Sequence, residues 1–283
     1  SKIVPNREVY LNAIKRMKPT AAGLDGIKIV TYRLLKDSLA PILAKVFTGL
    51  LHDMPQSFLE GLIIPIYKKG PRYQAINYRP ITLLNTDYRI FTQILLAKLK
   101  GPLQQLISPT QTAFLPGRSP MDKVWPLQLI PQHLQLEQKS AFLAVCDFSK
   151  AYDKVDRRFL MKICQCLQMP PSLQHWIAVL LENTYSQVYY NGAFSKRRKF
   201  EAGVRQGDPV SPYLYLLIGH ILARWLETHR IGIRLPMTHK MQHYLHGGLQ
   251  HCPHELYIPT LQYADDNTVP LSSYADVSRF INI

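Results

Sequence analysis

The chain has 283 residues, 47% of them hydrophobic, enough to bury one large core or two smaller ones. Lys and Arg number 34 against 19 acids, a formal net charge of +15, and a surplus that large points to a polyanionic partner bound through counterion release. Apolar runs stop short of the ~20 residues with which a helix spans a bilayer, a secretory leader is not expected, and Cys146, Cys164, Cys166 and Cys252 form no disulfide-scaffold pattern, which argues against a cystine-stapled class and favours a reducing, intracellular compartment.

In chain order, Val9, Ala13, Ile14 and Met17 recur at helical spacing over 7–18, and two further helices are expected over 27–38 and 40–53. The run Leu62-Ile63-Ile64-Pro65-Ile66-Tyr67 reads as a strand entering a basic turn, Lys68-Lys69-Gly70, and its internal Pro suggests a sheet edge. A helix over about 86–99, a Pro-punctuated connection over 101–120 and a helix over 121–138 follow. From 141 the pattern becomes strand, helix (156–168) and helix (171–183). Tyr185 to Tyr190 and Ala193 to Phe200 flank Asn191-Gly192, a strong hairpin signal. A buried helix is expected over 211–228, with Pro212 in its first turn. Two short strands then surround Asp265-Asp266, and a last helix starts near Ser273. Between them, His239, His243, His246, His251, Cys252 and His254 lack regular two-Cys pairing, so a polar insertion is the better reading than a zinc site. Strands mixed with helices without βαβ alternation argue for an α+β architecture, with helices packed on an antiparallel sheet.

Asp265 and Asp266 sit side by side between apolar strands, and like charges at a tight turn are costly unless a cation lies between them. An isolated pair of this kind is more often a solvated turn. The strand Phe142-Leu143-Ala144-Val145-Cys146 changes the balance, because it ends in a third carboxylate, Asp147. Three acids at strand ends make a hard-oxygen site suited to Mg²⁺.

These residues carry a resemblance. Asp147-Phe148-Ser149-Lys150-Ala151-Tyr152-Asp153, Gly203-Val204-Arg205-Gln206-Gly207-Asp208-Pro209 and Tyr263-Ala264-Asp265-Asp266 resemble the motifs of reverse transcriptases, in that order. Gly23-Leu24-Asp25-Gly26-Ile27, Asn77-Tyr78-Arg79-Pro80-Ile81 with Leu83-Leu84-Asn85, and Ser108-Pro109-Thr110-Gln111-Thr112-Ala113-Phe114 with Gly117-Arg118-Ser119 are similar to blocks of the non-LTR, LINE-type branch. Singly each block is weak; six in order are specific, and they run from about residue 8 to the C-terminus.

The resemblance implies a right-hand polymerase fold over 1–283. Fingers would come mainly from 1–140 and about 184–205, and the palm from about 141–183 and 206–283, with the thumb absent from this chain. It implies an RNA-directed DNA polymerase that adds deoxynucleotides to a DNA primer 3′-hydroxyl on an RNA template. Mg²⁺ would be the cofactor, with Mn²⁺ as a substitute. Asp147 and Asp265 would bridge two ions, Asp266 would complete the ligand set, and the Phe148 carbonyl would assist. Tyr152 would lie under the incoming sugar and exclude a 2′-hydroxyl, although spacing alone reads it as a core Tyr. Gln206 and Gly207 would approach the nascent base pair, and Arg79 and Lys68 the triphosphate; Lys69 is the weaker of the two lysines. Arg205 and the run Lys196-Arg197-Arg198-Lys199, chiefly Arg198 and Lys199, are candidates for the nucleic-acid path, though an exposed charge run is as often only solvated. Asp208 reads as a turn before the helix, and Asp25, Asp153 and Asp156 as caps or ion-pair partners.

Two other polymerases share this pattern of acids. Tyr152 and Tyr263-Ala264-Asp265-Asp266 count against an RNA-dependent RNA polymerase, and the Arg205–Pro209 setting suits the LINE-type branch better than a group II intron type maturase. A different class is a truncated retroelement relic that only binds nucleic acid. Against it stand the three acids, all present; for it stands an opening at Ser1 without Met, which reads as a fragment. The nucleus is the expected location if insertion is target-primed.

Overall fold

A computed structural model describes residues 6–49, 54–236 and 255–282. The His-rich segment from His239 to His254 lies outside them. The chain divides into two compact units, one of Ser1–Pro102 and Lys150–Tyr215, the other of Leu103–Ser149 and Leu216–Ile283.

In the first unit, helix α1 (Arg7–Arg16) starts where the Asn6 side chain accepts from the Val9 amide. Helices α2 (Ile29–Leu34), α3 (Lys36–Gly49) and α4 (Gln56–Leu59) follow. Their apolar faces close around aromatic rings: Tyr10 stacks on Phe47 at 5.7 Å, and Phe47 meets Phe91 at 4.8 Å. Phe91 belongs to α5 (Thr86–Leu106) and also touches Trp176 of α8 (Pro171–Leu181), at 4.5 Å. Helix α7 (Arg157–Cys166) is capped by Asp156, which accepts from the Arg158 and Phe159 amides, so Asp156 is a cap, as its position suggested.

The sheet of this unit runs β2 (Tyr78–Leu84), β1 (Gly61–Tyr67), β4 (Tyr185–Tyr190), β5 (Ala193–Phe194), with β6 (Arg198–Lys199) also on β4. Strand β1 is therefore interior, not an edge as its Pro suggested. The reason is local: β4 pairs with Gly61–Ile63 only, so Pro65 lies beyond that ladder and opposite Pro80. Asn191 and Gly192 both take positive φ, +54° and +82°, the hairpin geometry their sequence demands. The second arm, expected to be continuous, breaks at Ser195, whose hydroxyl takes the Val188 amide at 2.9 Å.

Helix α5 outruns its expected end. A Pro-punctuated connection is expected from 101, yet Leu95, Leu99 and Leu103 continue one buried stripe through Gly101-Pro102. One lost backbone bond costs less than exposing that stripe.

In the second unit, β3 (Phe142–Asp147), β10 (Asp266–Leu271) and β9 (Leu261–Tyr263) form an antiparallel sheet in that order. Its period-2 pattern sorts the residues. Phe142, Ala144, Val269 and Leu271 pack on Leu226 and Trp225 of α9 (Ser211–Thr228) and on Val277 and Phe280 of α10 (Tyr274–Ile281). On the other face Leu261 joins Ile130 of α6 (Met121–Leu136). That second cluster includes two strands the sequence pattern did not suggest, β7 (Ile233–Pro236) and β8 (Glu255–Ile258). No helix among the described residues is long and apolar enough to cross a membrane.

Candidate active site

Strand register brings the acids of the second unit together. Asp266 pairs directly with Asp147 on one side and with Tyr263 on the other. Directly opposed residues share a sheet face, with Cβ atoms about 4.5–5.5 Å apart. The row Tyr263, Asp266, Asp147 therefore lies on one face, at the end of the sheet. All three side chains are exposed. Asp265 is not in this row. It is the second residue of the two-residue loop Ala264-Asp265 that joins Tyr263 to Asp266.

The sequence reading asks for three converging carboxylates; the fold opposes two and sets the third beside them. Among the described residues, no three His, Cys, Asp or Glu side chains gather as a metal-binding group. Like charges resist such gathering unless a cation sits between them. The donor set still suits a hard cation: none of the three aspartates forms an ion pair among the described residues, and all offer carboxylate oxygen.

The backbone of this turn is held by side chains that sequence reasoning gave no role. Ala264 takes φ +54°, a left-handed conformation unusual for alanine. The buried Gln111 side chain accepts from the Ala264 amide at 3.1 Å and donates to the Ala264 carbonyl at 3.2 Å. The Asn267 side chain donates from Nδ2 to the Asp265 carbonyl at 2.7 Å, and Lys123 Nζ to the Asp266 carbonyl at 3.1 Å. Burial lowers the Lys123 pKa, and the Asp266 charge opposes that shift. The signal missed was Ala264 at a loop position that ordinarily takes Gly or Asn; a residue so placed needs outside support.

The first unit carries the other candidates. Gly207, at φ +108°, would put a Cβ 2.4 Å from the Thr82 carbonyl, so glycine is required by the neighbouring strand rather than by a ligand. The adjacent Gln206 carbonyl accepts from the Thr82 amide at 2.7 Å. Arg205 needs correction as a nucleic-acid contact: it is 3% exposed, and its guanidinium donates to the Leu59 carbonyl at 2.6 Å and the Tyr88 hydroxyl at 2.7 Å. A cation so enclosed is a strut. Asp208 does form the turn before α9, accepting from Val210, and it also takes the Tyr88 hydroxyl at 2.5 Å and lies 3.7 Å from Arg205. Burial drives the Tyr88 pKa well up, so the phenol stays a donor.

Tyr152 stacks on Tyr215, centroids 5.1 Å apart and planes within 7°. Arg79 lies opposite Ile66 in the β1–β2 ladder, and Lys68 follows the end of β1, its amide donating to the Asn77 carbonyl at 2.8 Å; both side chains are exposed. Arg198 and Lys199 are exposed on β6. Phe148 follows β3, with its ring exposed. A cavity of about 920 Å³ in the same unit as Tyr152 and Arg79 is lined by Arg16, Lys18, Arg89 and Lys100, beside Thr82 and Gly207, with no acid in its lining. Arg89 is 8% exposed and its Nε has no hydrogen-bond partner among the described residues.

A family model described as reverse transcriptase (RNA-dependent DNA polymerase) matches residues 66–283. An uncharacterized 149 kDa protein of transposon TX1 from Xenopus laevis is 31% identical over 201 residues, 69% of this chain and 15% of that protein. The Pol polyprotein of the type-1 retrotransposable element R2 from Nasonia vitripennis is 22% identical over 207 residues, 72% of this chain and 20% of its own. A probable RNA-directed DNA polymerase from transposon X-element of Drosophila melanogaster is 28% identical over 225 residues, 75% of this chain and 24% of its own. The chain thus spans between about a seventh and a quarter of these relatives. In fold it is similar to an apo telomerase from Candida tropicalis truncated from its C-terminal domain, with TM-score 0.52 and 12% identity over 93% of this chain and 54% of that one.

Proposed function

This chain belongs to the reverse transcriptase family, with relatives among non-LTR retrotransposon polyproteins, and we propose that it is the RNA-directed DNA polymerase core of such an element. The observation that carries the reading is the register of β3 on β10, which opposes Asp147 to Asp266 at the solvent end of a sheet with Asp265 next in the turn. On this reading that sheet belongs to the palm, and β1 and β2 to the fingers.

Asp147, Asp265, Asp266 and the Phe148 carbonyl would hold Mg²⁺ or Mn²⁺. When bound, such ions acidify the primer 3′-hydroxyl and neutralise charge on the triphosphate. The protein's own part is to hold the carboxylates in place and to orient the nucleotide. Arg79, on β2, and Lys68, just past the end of β1, are both exposed and bind the triphosphate, Arg with a planar fork and Lys as a point charge. Tyr152, its ring plane set by Tyr215, excludes a 2′-hydroxyl. Gln206, anchored through its carbonyl to Thr82, faces the nascent pair. The four-cation cavity, with Arg198 and Lys199, receives the template and primer backbones.

Primer extension with RNA template, DNA primer, deoxynucleotides and Mg²⁺ tests this. Asp147→Ala and Asp265→Ala should each lower the rate by about 10³-fold, the several kcal/mol that metal-held charge supplies. Unchanged extension would refute the assignment. A second reading, nucleic-acid binding without catalysis, draws on the same four-cation cavity; salt-dependent RNA binding with no Mg²⁺-dependent extension would select it.

A further inference from the structure

An alanine in a left-handed loop conformation, with acids immediately after it, is an unstable way to present carboxylates. Gly or Asn would adopt that conformation at little cost, and neither is present. The hydrogen bonds around Gln111 account for how the turn persists. Gln111 is fully buried, and its amide uses every bonding position it has. Oε1 accepts from the Ala113 and Ala264 amides, at 3.2 and 3.1 Å. Nε2 donates to the Ala264 carbonyl at 3.2 Å and to Gln262 Oε1 at 3.3 Å.

The clamp is itself anchored. Gln262, also fully buried, donates from Nε2 to the Gly219 carbonyl of α9 at 3.1 Å. Its own backbone is bracketed by the 110–112 segment, giving its amide to the Thr110 carbonyl and its carbonyl to the Thr112 amide. A side chain at Gly219 would press within 3.2 Å of both glutamine amides, so the glycine leaves room for the pair. Arg118 ties the segment to the end of α5, donating to the Ser108 and Gln111 carbonyls at 2.6 and 2.7 Å and to the Gln104 carbonyl of α5 at 3.2 Å. A loop outside the sheet is thus fastened at one end to a helix and at the other to the acidic turn.

We infer that Gln111 is a positioning residue: by bonding both the amide and the carbonyl of Ala264 it fixes the left-handed turn that presents Asp265 and Asp266. Gln111 touches no reacting atom. It acts through the Ala264 backbone, and its consequence for metal affinity rests on the polymerase reading above, whereas its consequence for the turn does not.

The test uses the full chain and Gln111→Met, which keeps the volume and removes all four bonds. Hydrogen exchange at the Ala264 amide should quicken at least tenfold, with the Leu226 and Val269 amides, in the same unit, unchanged. In primer extension the half-saturating Mg²⁺ concentration should rise about tenfold while template-primer affinity stays the same. Adding Ala264→Gly, which removes the conformational cost, should recover part of the Mg²⁺ response; a residue that served only packing would not be rescued at position 264. Unchanged Ala264 exchange in Gln111→Met would overturn the clamp whether or not the chain polymerises. Quickened Ala264 exchange in Gln111→Met, together with a wild-type chain that extends no primer, would uphold the clamp and reject the polymerase reading. Altered exchange with an unmoved Mg²⁺ midpoint in an active chain would reject the role in presenting the acids.

Discussion

At Asp208 the carboxylate is buried, bonded to the Tyr88 hydroxyl and the Val210 amide, and set 3.7 Å from Arg205; at residues 264–266 the backbone is bonded and the Asp266 carboxylate is left in solvent. Both turns follow a segment of extended or irregular chain and both carry acids. In the first the charge is part of the scaffold, since an unpaired buried carboxylate is expensive. In the second, side-chain amides and an ammonium have taken the carbonyls of three successive residues, which leaves the acid oxygens for a ligand. A carboxylate meant to bind something must be rigid without being neutralised, and holding its backbone achieves that.

The contrast is sharpest in Asp147→Ala. It should abolish about three orders of magnitude of extension yet leave the urea unfolding midpoint nearly unmoved, because an exposed, unpaired side chain contributes little to stability. Asp208→Ala should do the reverse in kind, lowering unfolding free energy by about 3 kcal/mol by stranding Arg205 in the interior. If Asp208→Ala unfolds like the parent chain, the scaffold role is wrong. Gly207→Ala sets a Cβ against the Thr82 carbonyl, and the expected loss is about 2 kcal/mol on the same assay. Smallest is Ala264→Gly, which should stabilise the chain by roughly 0.5–1 kcal/mol, the left-handed cost less the extra entropy of unfolded glycine. A destabilised Ala264→Gly would mean that the turn is not strained.

Much of the fold could be read along the chain. The helix over 211–228, the Asn191-Gly192 hairpin and the strands around Asp265-Asp266 are where periodicity and turn chemistry put them. Errors arose where burial outranked a local breaker, as at Pro102, or where pairing was partial, as at Pro65. Strands β7 and β8 carry little signal in the sequence because each is four residues long and takes its place from the other strand and from Ile130 and Leu261. At the site, Asp147 and Asp266 were legible as strand-end acids. Arg205 was misjudged because a basic residue in a motif looks available until its surroundings are known.

Local chemistry along the polymer was sufficient to name the acids, the strands that carry them and the family, since those depend on residue type and spacing. Which cations are free and which are struts, and why an alanine can stand at a left-handed turn, came from contacts between residues far apart in the chain. Gln111 reaches Ala264 across 153 positions, and Arg205 reaches Leu59 across 146. Hydrogen bonding falls off within a few ångströms, so partners that distant along the backbone leave no trace in any short window and emerge only when the chain closes on itself.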